Sequence, residues 1–149
     1  MVDLRHGEVL DLLRVVSRHM ARMAHGMAAR MGLHPTDLFA IMDISDFRER
    51  HGRPPTIGEL GEVTGLSSAA ATTLVDRLER AGYVERVRDT LDRRRVHLQL
   101  TPRHMEAAAP MLRGYLERLT AALDRISDEE LRAAATVLAA TRDAMEGTR

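Results

Sequence analysis

A change of hydrophobic period in its middle limits what this chain can become more than any other feature. Up to Gly82 the apolar residues recur every three or four positions. Beyond it, Tyr83-Val84-Glu85-Arg86-Val87-Arg88 and Val96-His97-Leu98-Gln99-Leu100 alternate in twos, the period of a strand rather than a helix. Just upstream, Thr56-Ile57-Gly58-Glu59 is a capping-box pattern, in which a hydroxyl and a carboxylate satisfy each other's orphan amides. It predicts a short helix from Ile57 to Thr64, stopped by Gly65. Ser67 caps a second, from Ser68 to Ala81, stopped by Gly82, with Ala71, Leu74, Val75 and Leu78 along one face. Two short helices about a glycine-containing turn form a helix-turn-helix candidate, and Gly61 is the small residue that lets the pair approach. Helix, glycine, strand, charged loop (Asp89 to Arg95) and strand make the winged form of that motif.

Long helices flank this centre. From Leu4 to Met31, Val9, Leu13, Val16, Met20, Met23 and Met27 follow steps of three and four, the stripe of an amphipathic helix. A second helix runs from about Thr36 to Arg50, with Leu38, Ile41, Met42 and Ser45 expected inward, and stops at His51-Gly52-Arg53-Pro54-Pro55. After Thr101-Pro102 a long stripe passes through Met105, Ala108, Leu112, Tyr115 or Leu116, Leu119, Leu123 and Ile126, with a kink expected at Pro110. Ser127-x-x-Glu130 starts a last helix carrying Leu131, Ala134, Leu138, Thr141 and Met145. The fold class expected is mainly α with a small two-stranded β-wing. Residues 36–101 form the winged lobe of a single domain spanning 1–149, and 1–33 and 102–149 supply dimerisation helices. So small a centre cannot cover stripes of this length; a second copy is the simplest cover.

Composition narrows the chemistry. The 149 residues include no cysteine, which excludes disulfides, thiol sensing and cysteine-based zinc sites. No apolar run is long enough to span a membrane, and charges interrupt MVDLRHGEVLDLLRVV where a signal peptide would be apolar. The expectation is a cytoplasmic protein without a membrane partner. All 22 basic residues are arginine, balanced by 22 acids; a GC-rich coding genome accounts for that as readily as function does. The charge is uneven, however. From Leu66 to Arg103 there are eight arginines against five acids, and a local basic stretch on a neutral chain points to one docking face. No nucleophile–base pair or phosphate-cradling glycine loop marks an enzyme.

The stretch "PTIGELGEVTGLSSAAATTLVDRLERAGYVERVRDTLDRRRVHLQLT", Pro55 to Thr101, resembles the MarR family of winged helix-turn-helix regulators. "LVDRLERAGYVER" and the "DRRR…LT" wing are its most specific pieces, and the helix order extends the likeness over nearly the whole chain. The resemblance implies a homodimer with intertwined terminal helices, two winged lobes on a pseudo-palindromic operator, usually repression, and a small-molecule effector. The glycine usual shortly after the wing's Leu-Thr-Pro is missing here, where Thr101-Pro102-Arg103-His104 runs on.

Operator binding needs phosphate contacts for register and base-edge contacts for discrimination. With its apolar face buried, the second short helix presents Ser67 and Ser68 at its start, then Ala69, Thr72 and Thr73, with Asp76 and Arg80 further along and only the N-terminal part expected to reach base edges. These short side chains suit thymine methyls and single hydrogen bonds rather than bidentate guanine contacts; the competing reading is plain solvated helix. Arg77 suits either a phosphate or a carboxylate such as Asp76, Asp92 or Glu62. By the family's Asp-x-Arg wing, Arg94 is the first choice for the minor groove, with Arg93 and Arg95 on phosphates and Asp92 bracing the loop. Arg86 and Arg88 are weaker backbone candidates. An aromatic or amphipathic effector would meet His19, Met20, Arg22, Met23, Met27, Phe39, Met42 and Tyr115, for which ordinary packing is the competing reading. No cofactor is expected. None of the seven histidines has helical i, i+4 zinc spacing,. A metal-responsive regulator of the same fold, or a winged-helix interaction module without DNA binding, are the alternatives.

Overall fold

A computed structural model of the chain describes residues 4–90 and 92–147. The order is α1 (Leu4–Arg30), α2 (Pro35–His51), α3 (Ile57–Thr64), α4 (Ser68–Arg80), β1 (Val84–Arg88), β2 (Val96–Leu100), α5 (Arg103–Leu123) and α6 (Asp128–Glu146). They form two compact units, Met1–Ala108 and Ala109–Arg149.

In the first unit the caps fall where the sequence places them. Thr56 and Glu59 close the capping box of α3, and the Ser67 side chain accepts the Ala70 N–H at the start of α4. Gly82 sits at φ +76°, a conformation that costs a residue with Cβ. There the chain leaves α4 and the Tyr83 N–H donates back to Leu78 O at 3.0 Å. A Cβ on Gly61 would stand 3.2 Å from Leu66 O and 3.6 Å from Ala71 Cβ, so α3 and α4 pack as close as a glycine allows. β1 and β2 pair antiparallel, Val84 opposite Leu100 and Arg88 opposite Val96. Thr56 bridges to His97 on the other edge of β2, where the Leu98 N–H donates to Pro55 O at 2.7 Å. The wing is thereby stitched to the entry of α3.

The core lies wholly in this unit: Ala28, Ile41, Ile44, Leu60, Val75, Leu78, Val84 and Leu98 are almost fully buried. On α2 the inward set is Leu38, Ala40, Ile41 and Ile44, with Asp37. Met42, expected inward, is half-exposed, as is Phe39. The reason is angular: 38, 41 and 44 descend one face, whereas 39 and 42 form a second apolar row turned away from it. Tyr83 is buried and donates its hydroxyl to Met31 O at 3.0 Å, tying the end of α1 to the strand.

α5 begins in the first unit and continues past Pro110, which stands inside it. In the second unit, α6 starts at the capping box of Ser127 and Glu130. None of the residues there whose burial is described is buried, and Leu116, Leu119, Leu123, Ile126, Val137 and Leu138 are exposed. Val9, Leu10, Leu12, Val15, Val16 and Met20 of α1 are exposed likewise.

Candidate nucleic-acid interface

The outer face of α4 carries no charge over its first two turns. Ser67, Ser68, Ala69, Ala70, Thr72 and Thr73 are all exposed, because their neighbours Ala71, Leu74 and Val75 take the core-facing positions. The Thr72 hydroxyl donates to Ser68 O at 2.8 Å and the Thr73 hydroxyl to Ala69 O at 3.0 Å.

Arg77 meets none of the three carboxylates weighed above. Its Nε donates to both oxygens of Asp37 at 3.1 and 3.0 Å, and its Nη2 reaches Oδ1 as well. Asp37 is 2% exposed, so a buried carboxylate at the start of α2 fixes the last turn of α4. Arg86 turns onto α4, pairing with Asp76 and Glu79. It shares a strand face with Leu98, its cross-strand neighbour, and that face meets α4. Arg88 is exposed on β1.

The wing tip is held from inside. Asp89 Oδ1 accepts the Asp92 N–H at 3.0 Å, the Asp89 N–H donates to Arg95 O, and the Arg95 N–H donates to Asp92 O. Asp92 Oδ1 accepts the Arg94 N–H at 3.1 Å and its Nε at 3.2 Å. Arg94 is 91% exposed at its side chain despite that brace, and Arg93 is exposed beside it. His97, buried under the wing, has Nδ1 2.9 Å from Pro54 O and Nε2 2.8 Å from Asp89 Oδ2. The ring thereby ties the wing loop to the chain entering α3.

Arg95 leads back to α3. Its Nη2 lies 3.5 Å from Glu59 Oε1, which also accepts from Arg53 Nη2 at 2.6 Å, while Glu59 Oε2 accepts from Arg53 Nη1 at 2.9 Å and the Thr56 N–H at 2.8 Å. The Arg53 guanidinium, aided by Thr56 and opposed by partial burial, holds the Glu59 carboxyl down at about 2. A depressed carboxylate stabilises the fold above its unfolded value near 4.5 and loses that contribution as pH falls toward 2. Glu59→Gln is therefore expected to cost about 2 kcal/mol at neutral pH, less than the shift alone implies because Arg53 is partly solvated. Urea unfolding across pH 2–7 checks this: the variant should lose part of the acid-induced decline seen in the parent chain.

The residues expected to line an effector pocket are dispersed in exposure. His19, Met20, Arg22, Phe39 and Met42 are exposed, Met23 is intermediate and Met27 is buried; His19 Nδ1 is engaged with Val15 O of its own helix. Tyr115 is half-buried in the second unit. A shallow groove there is lined by Arg113, Leu116, Glu117, Thr120 and Ala121 on α5 and by Asp124 just past its end. Among the described residues no group of three histidines or acids gathers as a metal would need. Sequence reasoning passed over Asp37, Glu59 as a wing anchor, Asp89 and His97. Only the capping role of Glu59 had a local signal.

A family model described as the MarR family matches residues 46–95. The uncharacterized HTH-type transcriptional regulator YcgE of Bacillus subtilis (strain 168) is 45% identical over 87 residues, 58% of this chain and 53% of that protein, so the match spans about half of that relative. The transcriptional repressor MprA of Escherichia coli (strain K12) is 31% identical over 123 residues, 80% of this chain and 68% of its own. A MarR family protein from Bacillus stearothermophilus shares the fold at TM-score 0.69 with 25% identity, over 98% of this chain and 99% of that one. S. aureus MepR, in a complex with DNA, has the same fold at TM-score 0.61 and 16% identity, over 90% and 97%. With a winged helix-turn-helix built on these residues and a repressor alike over two thirds of its length, the chain belongs to the MarR family.

Proposed function

We propose that the chain is a homodimeric, sequence-specific DNA-binding transcriptional regulator that represses from a pseudo-palindromic operator and is released by a small molecule. The observation that carries this reading is the pairing, in one unit, of an uncharged exposed α4 face with a wing tip whose Arg94 is almost fully solvated. The first suits base edges in the major groove, the second the negative potential of the minor groove. Arg93 and Arg95 serve phosphates, and Arg88 is placed for the backbone. Arg77 and Arg86 act chiefly by holding α4, with Nη1 of Arg77 left for one phosphate contact. Relatives named as repressors and a similarly folded protein solved with DNA support the assignment.

Dimerisation rests on the exposed apolar rows of α1, α5 and α6, with Val16 53% and Leu138 57% exposed, more than a lone chain in water comfortably leaves uncovered. The effector reading rests on the half-exposed Phe39 and Met42 row, together with Met20 and Met23, a surface adaptable to an aromatic or amphipathic compound. No described helix is long and apolar enough to cross a membrane. Sedimentation equilibrium is expected to give twice the chain mass. Selection from sheared genomic DNA is expected to recover duplexes sharing an inverted repeat with half-sites about one helical turn apart, released by members of a phenolic and cationic compound panel. Failure to enrich any duplex over bulk competitor at low ionic strength would overturn the proposal.

A further inference from the structure

Resting on the DNA-binding reading, we infer that Thr72 and Thr73 discriminate bases through their methyl groups rather than their hydroxyl hydrogens, and so select half-sites with thymine beneath α4.

Both hydroxyl hydrogens are already committed. Thr72 donates to Ser68 O and Thr73 to Ala69 O, at 2.8 and 3.0 Å. What each threonine offers a partner is a methyl group and oxygen lone pairs. Around them the exposed surface continues with the methyls of Ala69 and Ala70. Two of the long side chains beside them are engaged within the lobe: Arg77 through Nε and Nη2 with buried Asp37, and Arg86 with Asp76 and Glu79.

Base chemistry then sorts itself. Guanine presents only acceptors, N7 and O6, to the major groove. Against Thr72 and Thr73 they lose water and gain no donor, which is costly. Thymine presents a C5 methyl, whose burial against threonine and alanine carbons is favourable. An A·T pair and a G·C pair each bring two acceptors and one amino donor to the major groove; the A·T pair adds the thymine methyl, and that methyl is what this surface selects.

The test begins with a duplex selected from a random library by the intact protein at moderate salt. Thymines of the half-site core are then replaced by deoxyuridine, which removes the methyl and keeps the pairing. Each contacted methyl lost is expected to weaken binding about fourfold. Thr72→Val and Thr73→Val keep the methyl shape and drop the hydroxyl; they are expected to bind within about twofold of the parent chain. Thr72→Ser and Thr73→Ser keep the hydroxyl and drop the methyl; they should bind several-fold weaker and become indifferent to the uracil exchange. All four substitutions are at exposed positions, and an unchanged thermal unfolding midpoint confirms that each variant folds. Equal binding of the uracil duplex by the parent chain overturns the inference and leaves DNA binding standing. So does a pattern in which valine variants fail and serine variants do not. Recovery of no preferred duplex at all overturns both.

Discussion

Replacing Arg77 by alanine is expected to lower the unfolding free energy of the first unit by about 3 kcal/mol. The Asp37 carboxylate is 3% exposed at its side chain and takes its ionic partner from Arg77. Without the guanidinium it would be left without its ionic partner in a site with little water. The 45% exposure of Arg77 keeps the loss below that of a fully enclosed pair. Its position in the first turn of α2, near the positive helix end, gives Asp37 only partial relief. Lysine at 77 is expected to restore little, since it lacks the planar fork that spans both carboxylate oxygens. Removing both charges, Asp37→Leu with Arg77→Met, is expected to recover most of the loss. That recovery would identify the stranded charge, not the missing contact, as the source. Urea unfolding of the three variants settles the matter, and a loss under 0.5 kcal/mol for Arg77→Ala, roughly the scatter expected of a surface substitution, would contradict the account.

Arg94→Ala is expected to weaken binding to a selected duplex about tenfold or more, within the 1–3 kcal/mol typical of an arginine contact. The unfolding midpoint should not move, because a side chain 91% exposed contributes little packing,. The slope of log K against log salt is expected to flatten by about one unit as one cation held against the duplex is lost. Asp92→Ala separates bracing from bulk electrostatics. Deleting an acid next to DNA raises affinity on charge alone. Asp92 Oδ1, however, holds both the backbone N–H and Nε of Arg94, so the expected result is a few-fold loss. Salt-titrated mobility shifts on both variants provide the measurement. Parent-level affinity of Arg94→Ala would remove the wing from the interface.

Local signals carried much of the architecture. The helix expected from Ile57 to Thr64 has those bounds, since its ends are set by Thr56, Glu59 and Gly65 within a few residues of one another. The strands and the wing follow from the period change after Gly82, and the MarR resemblance agrees with the family that the comparisons show. Met42 was misplaced because the two apolar rows of α2 are each helical in period, and periodicity alone does not say which row meets the lobe. Of the residues about the candidate interface, the α4 face and the wing arginines were legible. They sit beside their own caps and strands.

The order, type and ends of the elements are thus written locally, because caps, glycines and hydrophobic period act over one or two turns of chain. Which charges are spent and which remain depends on how the elements pack. Arg77 finds Asp37 forty residues away, Arg95 finds Glu59 across the wing, and His97 finds Pro54 and Asp89. An ion pair is chosen by distance and burial in three dimensions, and no spacing along the chain encodes either.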